Sequence, residues 1–97
     1  MRVATKVYEL ASRIPKGKVA TYGELAKAAG TSPRHVGYLM SINNSKKVPC
    51  HRVVGSDGSL VGFAHGLGKK KALLLSEGVP VGKGKVDLKK YFYRVIS

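Results

Sequence analysis

Apolar positions recur at helical spacing over the first part of the chain. Val3, Val7, Leu10, Ala11 and Ile14 fall three or four residues apart, which predicts an amphipathic helix over residues 3–14. Pro15-Lys16-Gly17 stops it, because proline lacks an amide donor and glycine lets the chain turn. Residues 18–21 read as a short extended approach, and residues 22–29 as a second helix closed by Gly30. Thr31 and Ser32 are N-capping types and Pro33 suits a first helical turn, so a third helix is expected from 33 to about 42. Asn43-Asn44-Ser45 is turn chemistry.

Beyond that point the pattern changes. Residues 48–54 form a short β-branched segment interrupted by Pro49, and Gly55, Gly58 and Gly62 mark the loop after it. Residues 69–76 read as a fourth helix with Ala72, Leu73 and Leu75 available to the core, ended by Glu77-Gly78. In the closing stretch, 86–96, the positions of Leu88, Tyr91, Phe92 and Val95 favour helix over strand. The expected fold is mostly α with a short β element, a single domain over residues 1–97. The two helices around Gly30 have the size and punctuation of a helix-turn-helix, winged-helix-like DNA-binding unit. An ordinary αα-hairpin in a small bundle fits the same spacing.

Charge sharpens the picture. Eighteen Lys and Arg stand against five Asp and Glu, a net charge of +13, and the basic residues divide evenly on either side of Cys50. A folded surface of that sign attracts polyanions and releases counterions when it meets phosphate, so nucleic acid is the expected partner. The 43% hydrophobic content argues against a disordered tail. No apolar run approaches the roughly 20 residues of a membrane span. The charged N-terminus lacks the form of a signal peptide, which makes the cytoplasm or nucleoid the expected location.

A single cysteine rules out an internal disulfide, and His35, His51 and His65 match no zinc spacing, so neither a metal nor a cofactor is expected. A lone thiol is either a small buried hydrophobe or a nucleophile. Cys50 lies in Pro49-Cys50-His51-Arg52, after Lys46 and Lys47. Thiols become effective nucleophiles beside a base or a positive field. Neighbours in an extended segment point to opposite faces, so a water bridging Cys50 and His51 is the expected geometry. Glu77 is the candidate to orient the imidazole from its other side.

The segment Val48-Pro49-Cys50-His51-Arg52-Val53-Val54 resembles the active-site signature of the O6-alkylguanine-DNA alkyltransferases, the methylated-DNA–protein-cysteine methyltransferases. Ile14-Pro15-Lys16-Gly17-Lys18-Val19-Ala20-Thr21-Tyr22-Gly23-Glu24-Leu25-Ala26 resembles the stretch before that family's recognition helix. Pro33-Arg34-His35-Val36-Gly37 resembles the start of that helix, and Leu74-Leu75-Ser76-Glu77-Gly78 the family's closing motif. The four lie in the family's order over residues 3–78 and resemble its C-terminal, active-site domain.

The resemblance implies roles for individual residues. Cys50 would accept the alkyl group, His51 would act as base through water, and Glu77 would complete the relay. Asn43 would be the hinge tying the third helix to the active-site segment, with Asn44 as its rival. Arg34 would fill the space left by a flipped guanine, Tyr22 would press on the target phosphate, and Gly37 would allow close approach to DNA. Thr21, Ser32, His35 and Arg52 would complete the DNA contacts. Met40, Val48, Pro49, Phe63, Ala64 and His65 would line the substrate pocket. An O6-alkyl group is buried in the base stack, so its transfer requires extrusion of the base.

Several features depart from the family pattern. Full-length relatives carry an additional N-terminal domain. His35 stands where a small residue is usual. The loop from Asn43 to Cys50 is about one residue shorter. Phe63-Ala64-His65-Gly66 occupies the place of a tyrosine donor, and Ala64 cannot donate, leaving His65 as the candidate substitute. The implied activity is irreversible transfer from O6-alkylguanine in double-stranded DNA to Cys50 by a monomer. The alternative is an alkyltransferase-like protein that flags lesions to excision-repair proteins. Those proteins generally carry tryptophan or alanine at the cysteine position, so Cys50 favours the enzyme.

Overall fold

Local capping chemistry determines where the second and third helices begin and end. The computed structural model describes residues 2–43, 45, 47–60 and 67–95. Helix α1 spans Val3–Ser12 and buries Val7, Leu10 and Ala11. It ends two residues before the spacing predicts. The Arg13 and Ile14 amides reach back only three residues, to Leu10 and Ala11, and Pro15 disfavours a helical Ile14.

A two-residue strand β1, Ala20–Thr21, leads directly into α2, Tyr22–Ala29. The Thr21 hydroxyl accepts from the Glu24 amide at 3.1 Å, capping α2. Gly30 closes it in the left-handed region, φ 76°. The Ser32 hydroxyl accepts from the His35 amide at 3.1 Å and starts α3, Pro33–Ile42. Joined by Gly30-Thr31-Ser32, α2 and α3 are the expected helix-turn-helix. Among the described residues, no helix is long and apolar enough to cross a membrane.

After α3 the chain makes a single 3-10 turn, Cys50–Arg52, and enters β2, Val53–Val54. The strands pair in parallel, Ala20 with Val53 and Thr21 with Val54. Alternation along them divides the interior. Ala20 and Val53 join a cluster with α1, α2, α3 and Cys50, whereas Val19 and Val54 join a second with Leu60, Leu74, Val79 and Val86.

Helix α4 spans Leu67–Ser76, and its inward face differs from the expected one. Lys70 and Leu74 are fully buried; Ala72 is exposed, Leu75 is 49% exposed and Leu73 half-buried. The physical reason lies outside the helix: the Lys70 Nζ donates to the Val53 carbonyl at 2.6 Å, which draws a lysine into the core.

The closing stretch forms one helical turn, α5, Leu88–Tyr91, capped by Asp87. Residues 92–95 leave the helix, with Phe92 extended. The Val19 amide donates to the Tyr91 carbonyl, and the Tyr93 amide to the Val19 carbonyl. The tail thereby satisfies the open edge beside β1.

Two glycine substitutions separate conformational from steric cost. At Gly30 an added Cβ would meet no atom within 4 Å, so Gly30→Ala carries only the left-handed penalty, about 1 kcal/mol. At Gly58, φ 88°, a Cβ would lie 2.2 Å from the Val86 carbonyl oxygen. Gly58→Ala is therefore expected to lower the urea midpoint further than Gly30→Ala; an equal or smaller loss would contradict this packing.

Candidate functional site

The turn Cys50–Arg52 lies between the Asn43 side-chain amide on one side and a carboxylate on the other. Cys50 is only 6% exposed. The buried Asn43, at the end of α3, directs its Nδ2 at the Val48 carbonyl (3.3 Å) and the Cys50 Sγ (3.4 Å). Its Oδ1 accepts from the Ser45 amide at 3.2 Å. These bonds tie the end of α3 to the segment carrying the sulfur. Asn44 lies outside the described residues.

On the other side stands Glu77, just past α4. His51 Nε2 lies 2.9 Å from its Oε2, so in the neutral imidazole Nε2 carries the proton and Nδ1 keeps its lone pair. Arg52 donates to both carboxylate oxygens, at 2.9 and 2.7 Å, and to the Ile14 carbonyl at 2.8 Å. Burial pushes the Glu77 carboxyl up, but hydrogen bonds from Arg52 and His51 and their charges outweigh this and hold it below its usual range. Arg52, expected on DNA, instead points inward, because Glu77 and a carbonyl released at the end of α1 both need its donors.

Lys70 was not evident from the sequence pattern. Its Nζ lies 3.4 Å from the Tyr22 hydroxyl and 5.6 Å from the centre of that ring. Burial pulls its pKa down to about 8, with Cys50 acting in the opposite sense. Tyr22 is itself buried rather than displayed, and burial followed by the proximity of Cys50 pushes its phenol up to about 12. A buried cation, a phenol and the thiol thus share one electrostatic environment. Lysine in a helical pattern ordinarily signals solvent, so nothing local announced this one.

The outer face of α3 carries Arg34, His35, Tyr38, Ser41 and Ile42, while Val36, Leu39 and Met40 face inward. His35 and Tyr38 stack at 6.4 Å between ring centres. Tyr38 is 59% exposed; its place one turn after Arg34 is the signal that could have found it. A Cβ at Gly37 would meet no atom within 4 Å, so nothing inside the chain requires a glycine there. Thr21 and Ser32 serve as helix caps. Met40 is fully buried in the same cluster as Cys50, with Val48 packed against it, and Pro49 is buried. Phe63, Ala64 and His65 lie outside the described residues. Among the described residues, no three His, Cys, Asp or Glu side chains gather as a metal site.

Residues 2–79 match the family described as 6-O-methylguanine DNA methyltransferase, DNA binding domain. The methylated-DNA–protein-cysteine methyltransferase of Pyrobaculum aerophilum is 53% identical over 70 residues, 71% of this chain and 47% of that protein. The bifunctional methyltransferase/endonuclease of Picrophilus torridus is 42% identical over 88 residues, 88% of this chain and 30% of that protein. The chain thus spans less than half the length of these two relatives. The structure of S. pombe Atl1 in complex with damaged DNA containing O6-carboxymethylguanine superposes with a TM-score of 0.85 at 35% identity. That match covers 96% of this chain and 98% of that one.

Lys70 has a consequence on the alkaline side. Its pKa of about 8 in the fold lies below the ordinary 10.5, so between these values the unfolded chain binds more protons and stability rises with pH. Tyr22, raised from 10 to about 12, opposes this only above about pH 10. The unfolding free energy is therefore expected to rise between about pH 8 and pH 10, and Lys70→Met should abolish the rise. Urea titrations across that interval check it; the same slope in both proteins would refute the assignment.

Proposed function

The chain belongs to the 6-O-methylguanine DNA methyltransferase family, and from that premise we propose that it repairs alkylated duplex DNA by taking the alkyl group of an O6-alkylguanine onto Cys50. The observation that carries this reading is the linked set around the thiol. Asn43 holds the sulfur from one side, and His51, the next residue, is oriented by Glu77. In this reading Cys50 is the nucleophile, His51 the base and Glu77 the orienting carboxylate.

In the proposed reaction the damaged guanine swings out of the stack and presents its alkyl carbon to the sulfur. A water passes the thiol proton to the free Nδ1 of His51. The new S–C bond forms as the C–O6 bond breaks, and the electron pair leaves with guanine, which takes up a proton to become the normal base. The thioether at Cys50 is permanent, so each molecule acts once. The protein works as a monomer, and residues 1–97 act as one functional unit.

DNA is engaged by the outer face of α3. Arg34, exposed in its first turn, occupies the gap left by the flipped base, where a long, permanently charged side chain can stack and donate hydrogen bonds. The open space at Gly37 and the stacked His35–Tyr38 pair lie beside it on the same helix. Thr21 and Ser32 set the starts of α2 and α3 against the duplex.

A second reading is a lesion-flagging protein that transfers nothing and recruits excision repair. The near end-to-end match to the S. pombe Atl1 chain favours it, while the thiol at position 50 favours transfer.

Mass analysis of the Cys50 peptide, after incubation with a duplex holding one O6-methylguanine, separates the two. A methyl adduct is expected; tight lesion binding without an adduct would establish the flagging role instead. Cys50→Ala should abolish transfer while leaving duplex binding within about twofold, a few tenths of a kcal/mol. Arg34→Ala should weaken capture of the lesion duplex about tenfold more than binding of undamaged duplex. Equal losses on both would reduce Arg34 to a phosphate contact.

A further inference from the structure

The sequence from Gly82 to Lys85 folds back on itself as a tight hairpin. The Gly82 amide donates to the Lys85 carbonyl and the Lys85 amide to the Gly82 carbonyl, both at 3.0 Å. The two central residues, Lys83 and Gly84, have φ of 55° and 76°. Positive φ at both positions is the signature of a type I′ turn, which favours asparagine or glycine first. Lys83 is the only described non-glycine residue with positive φ. Its Cβ crowds the backbone there, and the fold alone would be better served by glycine.

The hairpin is held rigidly. The Leu60 amide donates to the Gly84 carbonyl at 3.0 Å and the Val86 amide to the Gly58 carbonyl at 2.9 Å. Lys85 bridges Ser59 and reaches Asp57 at 3.3 Å. Gly58 admits this close approach because it has no Cβ. The turn beneath begins at Gly55, immediately after β2, so the hairpin is braced on the same segment that carries Cys50. Lys83, Lys85, Lys89 and Lys90 are exposed there. The acidic neighbours are Asp57, which faces Lys85 and Ser59, and Asp87, which caps α5. Among the described residues, no carboxylate pairs with Lys83.

We propose that this hairpin tip, with Lys89 and Lys90, is a second contact surface for the phosphate backbone of duplex DNA, separate from the outer face of α3. A cation held at a strained position on a rigid tip is presented to a phosphate with little ordering left to do. A lysine serving solubility alone needs no such position. The net charge of +13 makes a polyanion the complementary partner. The proposal rests on the reading of this chain as a duplex-binding protein.

Lys83→Gly and Lys83→Asn both suit the turn and both remove the charge, so each is expected to fold at least as stably as the parent. Affinity for an undamaged duplex is measured against salt concentration. Each phosphate contact contributes about 0.9 to the slope of log K against log salt, so both variants should show a slope shallower by about that amount. Unchanged slopes would overturn the proposal, as would a change confined to an RNA of equal length. The assay uses undamaged duplex, so failure of Cys50 to accept an alkyl group leaves it intact. A parent chain that binds no duplex would overturn the underlying reading itself, and this proposal with it.

Discussion

The carboxylate of Glu77 is the point where separate parts of this small molecule meet. It accepts from His51 and from Arg52, and Arg52 extends the connection to the Ile14 carbonyl at the end of α1. Three distant segments thus converge on a group whose side chain is only 9% exposed. A buried ion pair has to recover the desolvation cost of both partners, and it does so only when its donors and acceptors are filled. Here they are filled on both oxygens. Removing the carboxylate would leave the Arg52 charge buried without its partner, and the turn holding Cys50 would lose its support on that side. The network therefore fixes the imidazole and locates the thiol together.

Much of the scaffold was legible from the chain because its causes are local. Thr21, Gly30, Ser32 and Pro33 mark the ends of α2 and α3 through interactions spanning four residues or fewer, and those boundaries fall where the spacing predicts. Where partners are remote, the reading weakened. The inward turn of α4 depends on Lys70 finding the Val53 carbonyl, and the inward turn of Arg52 on Glu77 and Ile14. The tail departs from a helix because Val19 offers it an unpaired edge. No window along the sequence contains both halves of any of these contacts.

The site divides in the same way. Cys50 and His51 are neighbours in the chain, and their chemistry could be suspected from residue type alone. The pairing of His51 with Glu77, 26 positions away, was expected first from the chemistry of a nucleophile, base and orienter and again from the resemblance, and the structure places the two in contact. The electrostatic surroundings of the sulfur were hidden, because a buried lysine against a buried tyrosine contradicts the usual meaning of both residues in an amphipathic pattern. The outward face of α3 was only half visible. Arg34 was singled out by its motif, whereas the exposed Tyr38 on the same face belongs to none of the motifs.

The scarcity of carboxylates has an effect of its own in acid. Five acidic side chains occur in the chain, and Asp57, whose carboxyl is held near 2 by Ser59 and Lys85, stands in open solvent. Glu77 is the acidic group that joins remote segments in the interior, and its lowered pKa means the support it gives is complete above the ordinary carboxylate range. That support drains away as pH falls through the folded value. Souring the medium should therefore loosen this fold at Glu77, and that locus also orients the imidazole beside the thiol.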